Sequence, residues 1–328
     1  MPTLVKQPAW RLVYAGKDIT GDIMEQVVSV TYTDHVHGKS DEMEVTIEDR
    51  TGRWRGAWYP AKGDEAELWI GYARGLMMPC GKFRVDEVEF SGPPDTIVLR
   101  CLAASITQDL RTKKSRAFEA QTLKTIAETV AGEHGLALVG EVVDITFDRI
   151  SQDDETDLAF LKRLAEDYGH SFTVRGENLV FAKVEELRGG KVVAALARSD
   201  LQDYSLRDKA RDVYRACEVS YQDPQTKELI THTVEAEGVE SGDTLKRKVR
   251  VENASQAEAK AKALLDKENR LQLAGSLTVS GMPHLVAGAN LALTDLGRLS
   301  GVYHITRSTH SVERGRGYTT DVEIERVS

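Results

Sequence analysis

The sequence predicts a mainly β protein of the α+β class, with two antiparallel β-barrels and a small α+β module between them. Three observations predict it. Residues 9–110 alternate apolar and polar side chains between turn residues, and strand-like patterning returns beyond about residue 200. Between these regions, Ser151–Lys183 reads as a helix followed by a short hairpin. The two β regions also echo each other at matching positions.

The first β region covers residues 1–110. Trp10–Tyr14 ends at Gly16, and Val27–Tyr32 runs on toward His35. Met43–Glu48 alternates. Ala66, Leu68, Ile70 and Tyr72 alternate with Glu65, Glu67 and Trp69, and Phe83–Val85 and Ile97–Leu99 follow. Such spacing implies an antiparallel sandwich or barrel.

Residues 111–190 change character. Thr122 is placed to cap a helix carrying Leu123, Ile126, Ala127, Val130 and Ala131 on one face, with a stop near Gly132 or Gly135. Asp153 or Asp154 is the expected N-cap of a second helix. It buries Leu158, Leu161, Leu164 and Ala165 and stops at Gly169. Its acidic start suits the positive end of the helix dipole. Ser171–Val174 and Leu179–Phe181 form a hairpin around Arg175-Gly176-Glu177-Asn178, and Gly189-Gly190 marks the exit.

Residues 191–328 return to strands: Val213–Tyr221, a turn at Asp223-Pro224-Gln225-Thr226, and Leu229–Val234. Ser255 with Glu258 fits a capping box for a helix at about 254–270. Its narrow stripe of Ala257, Ala261, Leu264 and Leu265 suits the outside of a sheet. Gly275–Ser280, Ala289–Thr294, Val302–His310 and Thr319–Arg326 are the closing strands.

The echo joins Gly81, Phe83, Val85, Phe90 and Ser91 to Gly301, Tyr303, Ile305, His310 and Ser311. Closing strands follow both, Thr96–Leu99 and Thr320–Ile324. Pro60 and Gly63 precede one copy, and Pro283 and Gly288 the other. A doubled barrel has a mechanical consequence. Three chains present six similar units around one axis, so a ring joins a six-fold object to a three-fold one.

Net charge is −9, from 43 basic and 52 acidic residues, which argues against a dedicated nucleic-acid binder. Lys113-Lys114-Ser115-Arg116 and Lys246-Arg247-Lys248 read as solvated loops or strand edges. Cys80, Cys101 and Cys217 lack CxxC spacing and read as buried thiols. No secretory leader is expected, which points to synthesis in a reducing cytoplasm, and no run suits a membrane span.

An enzyme leaves few signs. Asp153, Asp154, Glu155 and Asp157 are expected to serve the helix start. His35 and His37, with Asp34 and Asp41 near, lack a third His or Cys ligand. Ser308 and Ser311 have no GxSxG context, and Gly315-Arg316-Gly317 reads as a turn. Trp54 and Trp58 are expected to pack between barrels or subunits, with a sugar platform formed with Trp10 and Trp69 as the other reading. No catalytic, cofactor-binding or metal residues are assigned.

Asp154–Glu166, Gly169 and the Phe172–Phe181 hairpin resemble phage late control gene D proteins, which are baseplate hubs of contractile tails and R-type tailocins. They are also similar to the N-terminal part of type VI secretion spike proteins. Tyr221-Gln222-Asp223-Pro224 and Gly301–Glu325 fit the same family. The resemblance implies tube-like barrels and a homotrimeric structural hub between the tail tube and a trimeric spike. Its partners would include the tape-measure protein and other baseplate proteins, in a virion or tailocin particle. It implies no enzyme, no cofactor and no specific nucleic-acid binding; a baseplate peptidoglycan hydrolase is the alternative.

Overall fold

A computed structural model describes residues 6–104, 109–209, 213–223, 226–239 and 241–327. In chain order the elements are β1 (Pro8–Tyr14), β2 (Lys17–Asp18), α1 (Thr20–Ile23), β3 (Val27–His35), β4 (Glu42–Glu48), β5 (Glu65–Tyr72), β6 (Met77–Ser91) and β7 (Thr96–Ala103). Next come β8 (Lys113–Thr122), α2 (Leu123–Glu133), β9 (Ala137–Val139), β10 (Thr146–Thr156), α3 (Asp157–Asp167), β11 (His170–Arg175), β12 (Asn178–Lys183) and α4 (Val184–Arg188). The remainder is β13 (Val192–Ala197), β14 (Leu201–Asp208), β15 (Tyr214–Gln222), β16 (Leu229–Glu235), β17 (Asp243–Lys248), α5 (Ala254–Arg270), β18 (Leu273–Ser280), β19 (Asn290–Thr294), β20 (Gly301–Glu313) and β21 (Gly317–Arg326).

The expected mainly β, antiparallel architecture holds, and the two β regions repeat one strand order. The first runs β3-β4-β7-β6-β5 and the second β14-β18-β21-β20-β19, with every neighbouring pair antiparallel. Irregularities recur at equivalent places. The β6–β7 ladder slips between Val85 and Glu87, and the β20–β21 ladder between Ile305 and Arg307. The β3–β4 ladder slips between Val27 and Ser29, and the β14–β18 ladder between Leu201 and Asp203. Gly63 N–H donates to Val85 O at 2.8 Å, and Gly288 N–H donates to Ile305 O at 2.8 Å. Both glycines sit at positive φ, 91° and 90°, where a side chain would be strained. Bulges are specific backbone features rather than noise, so their shared placement identifies one unit built twice.

The two units are fused rather than free-standing. β20 pairs with β19 over Gly301–His304 and with β3 over Arg307–Glu313, which makes one 13-stranded sheet. Separate cores lie under its two parts. One holds Leu12, Val45, Leu68, Phe83 and Ile97, the other Leu277, Leu291, Tyr303, Ile305 and Ile324.

Between them, α2 and α3 pack with the β9-β12-β11 sheet around Phe160, Leu164, Phe172 and Phe181. Thr122 caps α2 as expected, its Oγ1 accepting from Thr125 N–H at 3.1 Å. The start of α3 differs from the expectation. Thr156, not Asp153 or Asp154, is the N-cap, and its Oγ1 accepts from Ala159 N–H at 3.1 Å. Ser151–Thr156 instead completes β10, which pairs with β8 through a bulge where Asp154 takes φ 49°. Gly169 does end α3, with φ 70°. β15, β16 and β17 form a small sheet inserted between β14 and β18, and α5 covers it through Ala257, Ala261 and Leu265. The α5 cap is Asn253, whose Oδ1 accepts from Gln256 N–H at 3.0 Å; Ser255 lies two residues too late to serve. Pro224 and Gln225, part of the expected turn, lie outside the described residues.

Candidate functional site

The seam between the two units is the place where the chain shows how its copies meet. β3 lies antiparallel to the far half of β20, with Thr31 opposite Ser311 and Thr33 opposite Thr309. On the outer face both pairs join hydroxyl to hydroxyl at 3.2 Å. On the inner face, buried Ser308 and His310 bond each other at 3.0 Å, and His310 Nδ1 lies 2.8 Å from Tyr318 Oη. Burial holds the His310 imidazole down to about 4, so it is neutral there.

Where β3 ends, the α+β module joins the seam. Asp34 is 1% exposed; its Oδ2 accepts from Ala287 N–H at 2.8 Å and lies 3.4 Å from an Arg175 guanidinium nitrogen on β11. Tyr32 donates to Asp41 at 2.9 Å. Asp34 Oδ1 and Asp41 Oδ1 are buried without a partner among the described residues. Burial pushes Asp34 up to about 7, against the pull of Arg175, and raises Asp41 as well. Three parts of the chain thus converge here: the Asp34 and Arg175 side chains and the Ala287 backbone.

The nominated histidines do not form a shared site. His37 bonds Glu166 at 3.3 Å and accepts from Phe172 N–H at 3.1 Å, which ties the loop after β3 to α3 and β11. His35 instead sits at the end of the seam, opposite Arg307. Of the acidic run, Asp157 departs from its expected role at a solvated helix start. It is fully buried, with Lys114 Nζ at 2.6 Å, Arg116 Nη2 at 2.9 Å, His134 Nε2 at 2.7 Å and Gln152 Nε2 at 2.9 Å. Burial pushes this carboxyl up, but bonds from Lys114, His134 and Gln152 outweigh it and hold the group below the ordinary range. Lys114 and Arg116 are therefore the partners of a buried charge rather than a solvated patch. Glu133, His134 and Asp157 bring ligand atoms within 4.8 Å of one another, but the two cationic side chains already fill that space. A carboxylate held ionised by several donors is poorly suited to general acid or base work.

Trp54 is buried and donates to Gln26, while Trp58 stands half-exposed against it at 5.7 Å. Tyr59, also exposed, stacks on Phe90 at 5.8 Å. All three cysteines are buried, as expected. Among the described residues, no helix is long and apolar enough to cross a membrane.

Comparison with known proteins places this arrangement. A family model described as phage tail baseplate hub (GPD) matches residues 95–316. A probable baseplate hub protein of Escherichia phage P2 is 30% identical over 200 residues, 59% of this chain and 51% of that protein. The counterpart from Escherichia phage 186 is 28% identical over 178 residues, 54% of this chain and 45% of the relative. The chain thus spans about half the length of the curated relatives it matches. Among solved structures, a tail protein from Neisseria meningitidis MC58 superposes with TM-score 0.74 at 12% identity, covering 98% of this chain and 97% of that one. A 43 kDa tail protein of prophage MuSo2 from Shewanella oneidensis gives 0.70 at 19% identity, covering 97% and 98%. An E. coli component of the type VI secretion system gives 0.57 at 13% identity, covering 92% and 74%.

Proposed function

We propose a structural role for this chain, which belongs to the phage tail baseplate hub family: it is the central hub of a contractile tail or tailocin baseplate. In this reading it is a homotrimer. Residues 1–110 and 191–328 supply two tube-like units per chain, and 111–190 is the module between them. Six similar units then form a ring that meets a six-fold tail tube on one side and a trimeric central spike on the other. The tape-measure protein and other baseplate proteins complete its surroundings, in a particle assembled in the bacterial cytoplasm.

The observation that supports this most strongly is the repeated strand order with shared bulges. A near-repeat gives each unit the same surfaces to offer its neighbours, which cyclic closure requires. The role is non-enzymatic: Asp157 is neutralised by basic neighbours, and the Asp34–Asp41 pair is shut in at the seam. Native mass measurement on the purified chain tests the proposal. The expected species has three times the 36.3 kDa chain mass, and a chain that stays monomeric even with its spike protein would overturn it. A zymogram separates the hydrolase alternative: clearing of peptidoglycan abolished by a single carboxylate substitution would replace the structural role.

A further inference from the structure

The internal seam is a template for a second seam that one chain cannot make by itself. In the second unit, the far half of β20 is covered by β3. In the first, β5 pairs with β6 only as far as Arg84, and Asp86–Ser91 has no strand on that side among the described residues. The strand equivalent to β3 is β14, which pairs with β18 and has no strand on its other edge among the described residues. One unit leaves the receiving edge open, and the other leaves the inserting strand open.

We propose that β14 of one chain pairs antiparallel with the far half of β6 of a second copy, in the register of the β3–β20 seam. This inference rests on the homotrimeric hub reading and specifies its contact. The shared bulges fix the correspondence: Val27 and Ser29 match Leu201 and Asp203, and Ile305 and Arg307 match Val85 and Glu87. Carrying the internal register across sets Lys209 opposite Glu87, Arg207 opposite Glu89, Leu206 opposite Phe90, and Ser205 opposite Ser91.

Four of the five opposed pairs suit that register, although nothing in its derivation used their chemistry; the fifth sets the exposed Asp208 opposite half-buried Val88. Both charged pairs are of opposite sign. Leu206 and Phe90 are half-buried apolar side chains on the inner face. Ser205 and Ser91 repeat the hydroxyl pair of Thr31 and Ser311, which lie 3.2 Å apart in the internal seam. Opposed charges and apolar pairs across strands stabilise a ladder, and a one-residue slip would invert every face. A shallow groove that includes Ser205, Arg207 and Lys209 runs from β14 across β18 to β21, and another lies at the β6–β7 turn, lined by Phe90, Ser91 and Gly92. Three such contacts, alternating with three internal seams, close a ring.

Disulfide trapping of the full chain tests this. Directly opposed positions whose side-chain oxygens meet at 3.2 Å suit a disulfide. Ser91→Cys with Ser205→Cys is expected to link chains into dimers and closed covalent trimers under mild oxidation, and the native thiols are buried. Ser91→Cys with Arg207→Cys, a register slipped by two, is expected to link at least about tenfold more slowly. Glu89→Arg is expected to raise the concentration needed for assembly about tenfold, and adding Arg207→Glu to return it to within roughly threefold. A trimer in which the matched cysteines do not link, or link no faster than the slipped pair, overturns the pairing and leaves the hub reading standing. A wild-type chain that stays at 36.3 kDa at every concentration overturns both.

Discussion

In the second β unit the far half of β20 lies under β3, while in the first the matching half of β6 stands open among the described residues. The chemistry of the two edges differs accordingly. The covered edge carries Thr309 and Ser311, small hydroxyls that fit a tight seam. The open edge carries Glu87 and Glu89, charges that discourage indiscriminate strand pairing and leave a partner of opposite sign favoured. Even the ion pair on this face is kept with its signs reversed: Arg307 with Glu323 at 3.0 Å in one unit, Glu87 with Arg100 at 3.4 Å in the other. Backbone geometry is closely repeated while edge chemistry differs, and in the proposed assembly this lets one folding unit serve both an internal seam and an external contact.

The strongest way to break the comparison is to empty equivalent core positions. Phe83 and Tyr303 occupy the same place, at 1% and 0% exposure. Phe83→Ala and Tyr303→Ala are each expected to cost about 3–5 kcal/mol in denaturant unfolding. A loss below about 1 kcal/mol at either site would deny that the cores are equivalent.

His310 sharpens it next, since the first unit has Phe90 there. The folded pKa of His310, about 4, lies below the ordinary 6.5 because of burial. Its contribution is therefore present above pH 6.5 and lost as pH falls through 4. His310→Phe is expected to remove on the order of 2–3 kcal/mol of the acid-induced loss, read as the change in unfolding midpoint between neutral and acid pH. An unchanged pH slope would contradict this.

Asp34 has the opposite sign. Its folded value of about 7 exceeds the ordinary 3.8, so its contribution is fully present below pH 3.8 and lost as pH rises through 7. Within the same pocket, Arg175 lowers the Asp34 carboxyl and Asp41 raises it. Asp34→Asn is expected to flatten the fall in stability across that window by on the order of 2 kcal/mol, measured by denaturant titration at several pH values. Smallest of all, Thr122→Ala and Thr156→Ala, which lie outside both units, are each expected to cost about 1 kcal/mol while leaving self-association unchanged.

Much of this was legible in the sequence, and the rest was hidden for physical reasons. Alternation exposed β3, β4 and β5, and the Gly81–Ser91 echo of Gly301–Ser311 pointed to the repeat. β8 and β10 carry charged side chains such as Lys113, Arg116, Glu119 and Arg149 at positions where apolar alternation would mark a strand. Asp157 looked like an ordinary helix-start carboxylate. Its partners Lys114, Arg116 and His134 reach it from other elements, so no local pattern announces the burial. At the junction the sequence spacing marks His35 and His37, whereas the convergence lies at Asp34, Asp41 and Arg175; pairing across distant strands is not written in spacing.

End-on electron cryomicroscopy of the purified assembly tests the central claim most directly. The account predicts rings with true three-fold symmetry whose six inner densities are nearly equal and enclose an open bore. Three-fold particles with only three such densities, or particles with no ring at all, would contradict it.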